Sequence, residues 1–249
     1  SSRGTSMKRN ACDDPGFFEA YRRMRENPAS SNVLIEQPAL RASLPPLQGL
    51  EVLDLGCGMG HLSLYLAEQG ASRVLAIDAS ERMIEVARSE RPHARVEYTL
   101  CAMQDLTLPQ ASFDLVTSSL AIHYVADYGV LVRGIVGWLR PGGHFVYSVE
   151  HPMKTAPSAP DVGWVEGGAH WPVDSYCEEG ARERSWFAGE VVKYHRKVAT
   201  LVNTLVAAGM TVERLEEPEE VLRPGWMRPA FPLHRHRPSV LVIGCAKRF

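Results

Sequence analysis

The sequence has no Cys-x-x-Cys pair, and its five cysteines (Cys12, Cys57, Cys101, Cys177 and Cys245) are odd in number. That argues against a zinc ribbon or a disulfide framework. The cysteines read as reduced thiols, several of them in the core, and no metal site is expected. No long apolar run and no signal peptide occur, so neither a membrane span nor a membrane partner is expected, and the location expected is cytoplasmic. Neither sign of charge is in surplus. A net charge of -2 gives no field that would draw nucleic acid or lipid to the surface. What is present is 249 residues, 45% hydrophobic and 22% charged, the profile of one soluble globular domain. Residues 1–6, "SSRGTS", read as a cloning remnant and 7–249 as the domain.

The order of elements follows from periodicity. "DPGFFEAYRRMREN" sets Phe17, Tyr21 and Met24 at helical spacing, and "NVLIEQPALRASL" continues a helical cap over 7–49. From Leu50 strands and helices alternate: "EVLDL", then "GHLSLYLAEQG" closed by Gly70, "RVLAID", then "SERMIEVARSE" capped by Ser80. "RVEYTL", "FDLVTSSL", the helix "YGVLVRGIVGWL" and the strand "HFVYSVE" complete a core over 50–150. This rhythm predicts an α/β fold, a Rossmann-like parallel sheet with helices on both faces. From His151 to Trp186 the rhythm stops. The stretch is rich in Pro, Gly and Trp, and 151–192 is assigned to an inserted lid. "EVVKYHRKVATLVNTLVAAG" reads as one helix and "TVERLEE" as a strand, within a closing unit over 193–249. Five prolines (Pro218, Pro224, Pro229, Pro232 and Pro238) precede the last strand, "SVLVIGCA". They leave little room for a crossover helix, so that strand is predicted to run antiparallel.

The strand–loop–helix around Gly56-Cys57-Gly58-Met59-Gly60 is a ligand-binding turn. Glycines permit close approach of backbone to ligand, and the helix N-terminus offers free N–H groups. Asp78 closes the next strand, where a carboxylate can accept both hydroxyls of a ribose. The alternative reading is a structural turn with an incidental aspartate. The spacing is GxGxG and not the GxGxxG of dinucleotide sites.

"VLDLGCGMG" resembles the first motif of class I S-adenosylmethionine-dependent methyltransferases, of the small-molecule type. "LAIDASERMIEVAR", "CAMQDLTLPQASFDLV" and "LRPGGHFVYSVE" resemble the family's following motifs, so the likeness covers most of Leu50 to Gly143. It implies S-adenosyl-L-methionine as cofactor. Gly56, Cys57, Gly58 and Gly60 would flank its methionine part, with Asp54 orienting the amino group or the loop and Asp78 on the ribose. Ala79 or Met83 would touch the adenine face, Ala102 and Met103 would border the adenine, and Gln104 or Asp105 would stand near its exocyclic amine; Ser119 would also contact the cofactor. The family often has an acid where this chain has Ala102. His61 is either a helix cap or a further contact. By the same analogy Tyr21 and Arg25 of the N-terminal helix would close the cofactor side.

The Asn/Asp-Pro-Pro-aromatic motif of DNA and protein-glutamine methyltransferases is missing, and no basic stripe interleaved with aromatics appears. The acceptor implied is a small molecule with an oxygen, nitrogen or carbon nucleophile, with no nucleic-acid partner. His123 and His151 are the candidate general bases, because imidazole titrates near neutrality. With Tyr124 and Glu150 they end the fourth and fifth strands, where open α/β sheets hold ligands. Trp164, Trp171, Trp186, Tyr194 and His195 are expected to frame the acceptor, or else to form a mini-core of the insertion. An NAD-dependent oxidoreductase and a non-catalytic S-adenosylmethionine-binding regulator stay open as alternatives. The acceptor and the oligomeric state are not legible.

Overall fold

In the computed structural model the alternating elements form one seven-stranded sheet in the order β3-β2-β1-β4-β5-β9-β8. The structure describes residues 11–165, 167, 170–186, 189–221 and 232–248. The strands are β1 (Glu51–Leu55), β2 (Arg73–Asp78), β3 (Val96–Leu100), β4 (Phe113–Ser119), β5 (Leu139–Glu150), β8 (Met210–Glu216) and β9 (Val240–Lys247). β1 pairs in parallel with β2 on one side and β4 on the other, so strand order reverses there. The crevice beyond the carboxyl ends of β1 and β4 is where such a sheet takes a ligand. β9 runs antiparallel to both β5 and β8, as the proline count predicts.

Two apolar layers hold the sheet, because successive strand residues face opposite ways. Leu53, Leu55, Phe145, Tyr147 and Ile243 face α5 (Tyr128–Trp138) and α7 (Val198–Ala207). Val52, Val74, Leu115 and Val242 face Leu66 of α3 (His61–Glu68) and Ile84 of α4 (Glu81–Glu90). Caps set the helix starts. Asp14 accepts from Phe17 N at 3.0 Å to open α1 (Pro15–Glu26), and Ser80 accepts from Met83 N at 3.2 Å to open α4. A π-helical turn at Asn32–Glu36 then leads into α2 (Gln37–Ala42).

The inserted region differs from the sequence expectation. No single helix spans Glu190 to Gly209. Gly189–His195 is a strand, β7, paired antiparallel with β6 (Gly180–Trp186) in a separate hairpin, and the helix begins only at Val198. The physical reason is a period of two. In "GEVVKYH" the odd-numbered residues are the less exposed, Lys193 and His195 being buried. The neighbouring "VATLVNTLVA" hides this alternation when the two stretches are read together. The lid boundary expected at residue 192 therefore falls inside a strand. A short α6 (Pro152–Thr155) joins β5 to the insertion.

Candidate active site

The glycine loop is tied to the neighbouring strand. The N–H groups of Gly56 and Cys57 both donate to the Ile77 carbonyl at 2.8 Å. A side chain at Gly56 would lie 2.4 Å from Ala121 Cβ, so that glycine serves the protein's own packing. Gly58 differs: its φ is +53, and a Cβ there would meet nothing within 4 Å. The room beside Gly58 suits a ligand and not a side chain.

Two aspartates stand beside the loop, Asp54 one residue before the end of β1 and Asp78 at the end of β2. Asp54 is buried, and its Oδ2 accepts from Ser63 Oγ at 2.6 Å. Its Oδ1 takes no hydrogen bond among the described residues. Burial pushes its carboxyl up to about 7, against the Ser63 bond, and the nearby Asp78 and Glu36 charges add to the rise. Asp78 accepts from Gly58 N at 2.8 Å through Oδ2 and from Ser80 N at 2.9 Å through Oδ1. A carboxylate has about four acceptor sites, so both oxygens can still take a hydroxyl. Burial raises this carboxyl too.

Asp54, Gly56, Cys57, Gly58, His61 and Ser119, all named from the sequence, line one cleft. Tyr21 and Arg25 of α1 also line it. Met59 and Leu62 line it without having been anticipated, since nothing in their spacing sets them apart from core residues. His61 receives Arg91 Nη2 at 2.8 Å on its Nε2, so its proton is on Nδ1. Burial, then the Arg91 charge, lowers its pKa to about 4, and it stays neutral.

The remaining predicted cofactor residues lie toward β2 and β3. Ala79 is exposed at the strand end, whereas Met83 is buried against Phe18 and Met59. Met103 Cε comes within 3.2 Å of where a Gly56 side chain would start. Ala102 is half-buried and Gln104 exposed. Gly60 packs under Tyr98, whose hydroxyl would lie 2.6 Å from an added Cβ. Asp13 covers this side, accepting from Ser80 Oγ at 2.6 Å. An orphaned buried carboxylate oxygen, a second carboxylate at a strand end and an open glycine face fit a ligand bearing a cationic group and vicinal hydroxyls.

The hairpin reaches the cleft through Trp186. Its ring stands edge-on to Tyr21 at 5.7 Å and to Phe17 at 5.5 Å. Lys193 Nζ lies 4.9 Å from the Trp186 ring and 6.0 Å from that of Tyr124, and donates to Glu150 Oε2 at 2.9 Å. Lys154 Nζ donates to the other oxygen at 2.5 Å. Burial alone would raise Glu150, yet the two ammonium groups hold it well below the usual carboxylate range. Tyr124, Glu150 and Trp186 are thus brought together beside the cleft.

The other predicted acceptor residues are not gathered there. Trp164 and Trp171 pack on each other at 5.2 Å under the Arg237 guanidinium, and Trp171 Nε1 donates to the Met153 carbonyl. His195 is buried between Thr155 Oγ1 and the Tyr176 carbonyl, and Tyr194 is half-buried near Arg196. The candidate bases also sit differently from expectation. His123 Nδ1 accepts from Glu150 N at 3.4 Å, and burial lowers its pKa to about 3. His151 Nδ1 accepts from Met153 N at 3.1 Å, capping α6, and Nε2–H donates to Glu217 at 2.9 Å. In both rings the lone pair is on Nδ1 and is already engaged, so neither offers a free basic nitrogen.

Residues 53–147 match a family described as "Methyltransferase domain". An S-adenosylmethionine-dependent methyltransferase of Mesorhizobium loti of known structure is 43% identical, with a TM-score of 0.79, covering 85% of this chain and 97% of that one. An uncharacterized protein of Haemophilus influenzae is 37% identical over 94% of this chain and 96% of its own length. The ubiquinone biosynthesis O-methyltransferase of Methylocella silvestris is 36% identical, but the match spans 53% of this chain and 55% of that protein.

Proposed function

Because this chain belongs to the S-adenosylmethionine-dependent methyltransferases and takes S-adenosylmethionine as cofactor, we propose that its acceptor is a small molecule received under the β6–β7 hairpin. The observation that carries this reading is the continuity from Tyr21 in the cleft wall, through the Trp186 ring, to Lys193 and Glu150 beside Tyr124. An aromatic wall with one charged edge suits a compact organic acceptor. The hairpin and α1 together would exclude water from it. The curated O-methyltransferase relatives, matched over about half their length, are compatible with such an acceptor.

The bound cofactor supplies an electrophilic methyl group on a sulfonium. The chain's own residues hold and align. Asp78 takes the ribose hydroxyls, Gly58 leaves room for the methionine chain, and Asp54 receives the ammonium group. Ala79, Met83, Ala102, Met103 and Gln104 surround the adenine. Tyr124, Trp186 and Lys193 orient the acceptor. Transfer then proceeds by proximity and alignment, with no histidine base. Loss of a general base costs about 10²–10⁴-fold, so wild-type turnover is expected of His151→Ala.

The test is incubation with methyl-labelled cofactor and a cell extract separated by size. Label in small molecules supports the proposal. Label appearing only in RNA or in protein overturns it.

A further inference from the structure

Glu36, set in the apolar stretch "NVLIEQPAL", is a fully buried carboxylate. It ends the π-helical turn Asn32–Glu36, in which Gln37 N donates to Asn32 O five residues back. The wide turn has a local cause. Pro38 has no N–H to give the Leu34 carbonyl four residues before it. That carbonyl takes Val221 N at 2.8 Å instead. Such single wide turns are common at functional sites.

Glu36 Oε1 receives two hydroxyls, Ser119 Oγ at 2.8 Å and Ser148 Oγ at 2.5 Å. Oε2 takes no hydrogen bond among the described residues. Ser119 lines the cofactor cleft, so the carboxylate stands one hydroxyl behind the cleft wall. Two other lining residues, Tyr21 and Arg25, lie within its electrostatic reach. Three buried or half-buried acids (Glu36, Asp54 and Asp78) stand around this end of the cleft, and the charges of Arg25, which lines it, and of Arg41 act on Glu36. No ion pair joins Arg25 to any of the three among the described residues. Buried carboxyls without a full set of partners ionise most readily when a cationic ligand arrives beside them. Burial raises the Glu36 carboxyl, against Arg25, the two serines and Arg41, which is the mark of an acid still short of a counter-ion.

We propose that Glu36 is the charge partner of the cofactor's sulfonium and thereby sets the preference for S-adenosylmethionine over S-adenosylhomocysteine. The two molecules share adenosine, ammonium and carboxylate groups. Only the first carries positive charge on sulfur. Asp54 and Asp78 serve groups common to both, so Glu36 is left to tell them apart. Through it, the spent cofactor is held less tightly than the loaded one. This rests on the reading of the cleft as the cofactor site and is independent of the acceptor.

The test is calorimetric affinity for both molecules in the wild type, Glu36→Gln and Glu36→Asp. Glu36→Gln keeps the shape and the acceptor oxygen but removes the charge. It should weaken S-adenosylmethionine about tenfold, the size of one lost charge interaction, and S-adenosylhomocysteine less than about twofold. Glu36→Asp keeps the charge and should hold the preference within about twofold of wild type. Equal losses for both ligands in Glu36→Gln would reduce Glu36 to a strut for Ser119 and Ser148. An Asp variant that folds but has lost the preference overturns the proposal independently, should the Gln variant fail to fold. If the wild type binds neither molecule, it is the cleft assignment that fails.

Discussion

At the scale of single residues, Asp54 is held in the middle of its titration at neutral pH, because burial and the Asp78 and Glu36 charges raise it to about 7. A cation arriving at Asp54 favours the ionised form, so binding below this pH must expel a proton. The sign follows. Cofactor affinity should rise as pH rises toward 7 and level off above it, by about tenfold between pH 6 and pH 8. Titration calorimetry over that range checks this; a flat profile would mean that Asp54 does not meet a charge. Asp54 and Asp78 were legible in the sequence because each lies within a residue of the end of a short apolar strand, which fixes its place beside the loop. Glu36 was not, because a carboxylate in "NVLIEQP" gives no sign of the wide turn that buries it.

Among the elements, the β6–β7 hairpin divides the tryptophans into two groups with different duties. Trp186 touches α1 beside the cleft, while Trp171 rests on Trp164, Arg237 and the Met153 carbonyl. Trp186→Ala is expected to raise the acceptor's KM while leaving the cofactor's Kd nearly unchanged, the mark of lost acceptor binding. Trp171→Ala is expected to lower stability by about 1–3 kcal/mol with little change in KM, since it deletes a half-buried ring and one hydrogen bond. Steady-state kinetics and thermal melts of the two variants separate the effects. Identical behaviour would mean that the hairpin is one unit and that the acceptor lies elsewhere. The sequence marked the break in rhythm after His151 but not the hairpin that follows it. Strand β6, "GARERSW", alternates arginines that tuck back onto backbone carbonyls with exposed glutamate and serine. That is not the apolar alternation by which strands are usually recognised.

For the molecule as a whole, the sheet was the most legible feature. Its parallel part follows from strand–helix alternation, and its antiparallel strand from prolines that forbid a crossover. The surroundings of the proposed acceptor were legible only in part: Glu150 and Trp186 are expected there from the sequence, whereas Lys193 joins them only when the hairpin meets β5. The position of β9 also governs how the chain reaches its fold during synthesis. Val240–Lys247 sits between β5 and β8 yet emerges from the ribosome after both. Until then His144–Glu150 and Met210–Glu216 each lack the neighbour they later pair with. Every contact of β9 with β5 spans roughly a hundred residues of chain, the kind of late, non-local closure that slows folding and leaves sticky strand edges waiting. A chain stopped after residue 239 should therefore collect in the insoluble fraction, although it retains the whole glycine loop; a soluble, cofactor-binding truncation would show that the nascent half-sheet can stand alone. The residues that hold the ligand are made early, and the strand that lets them keep their shape is made late.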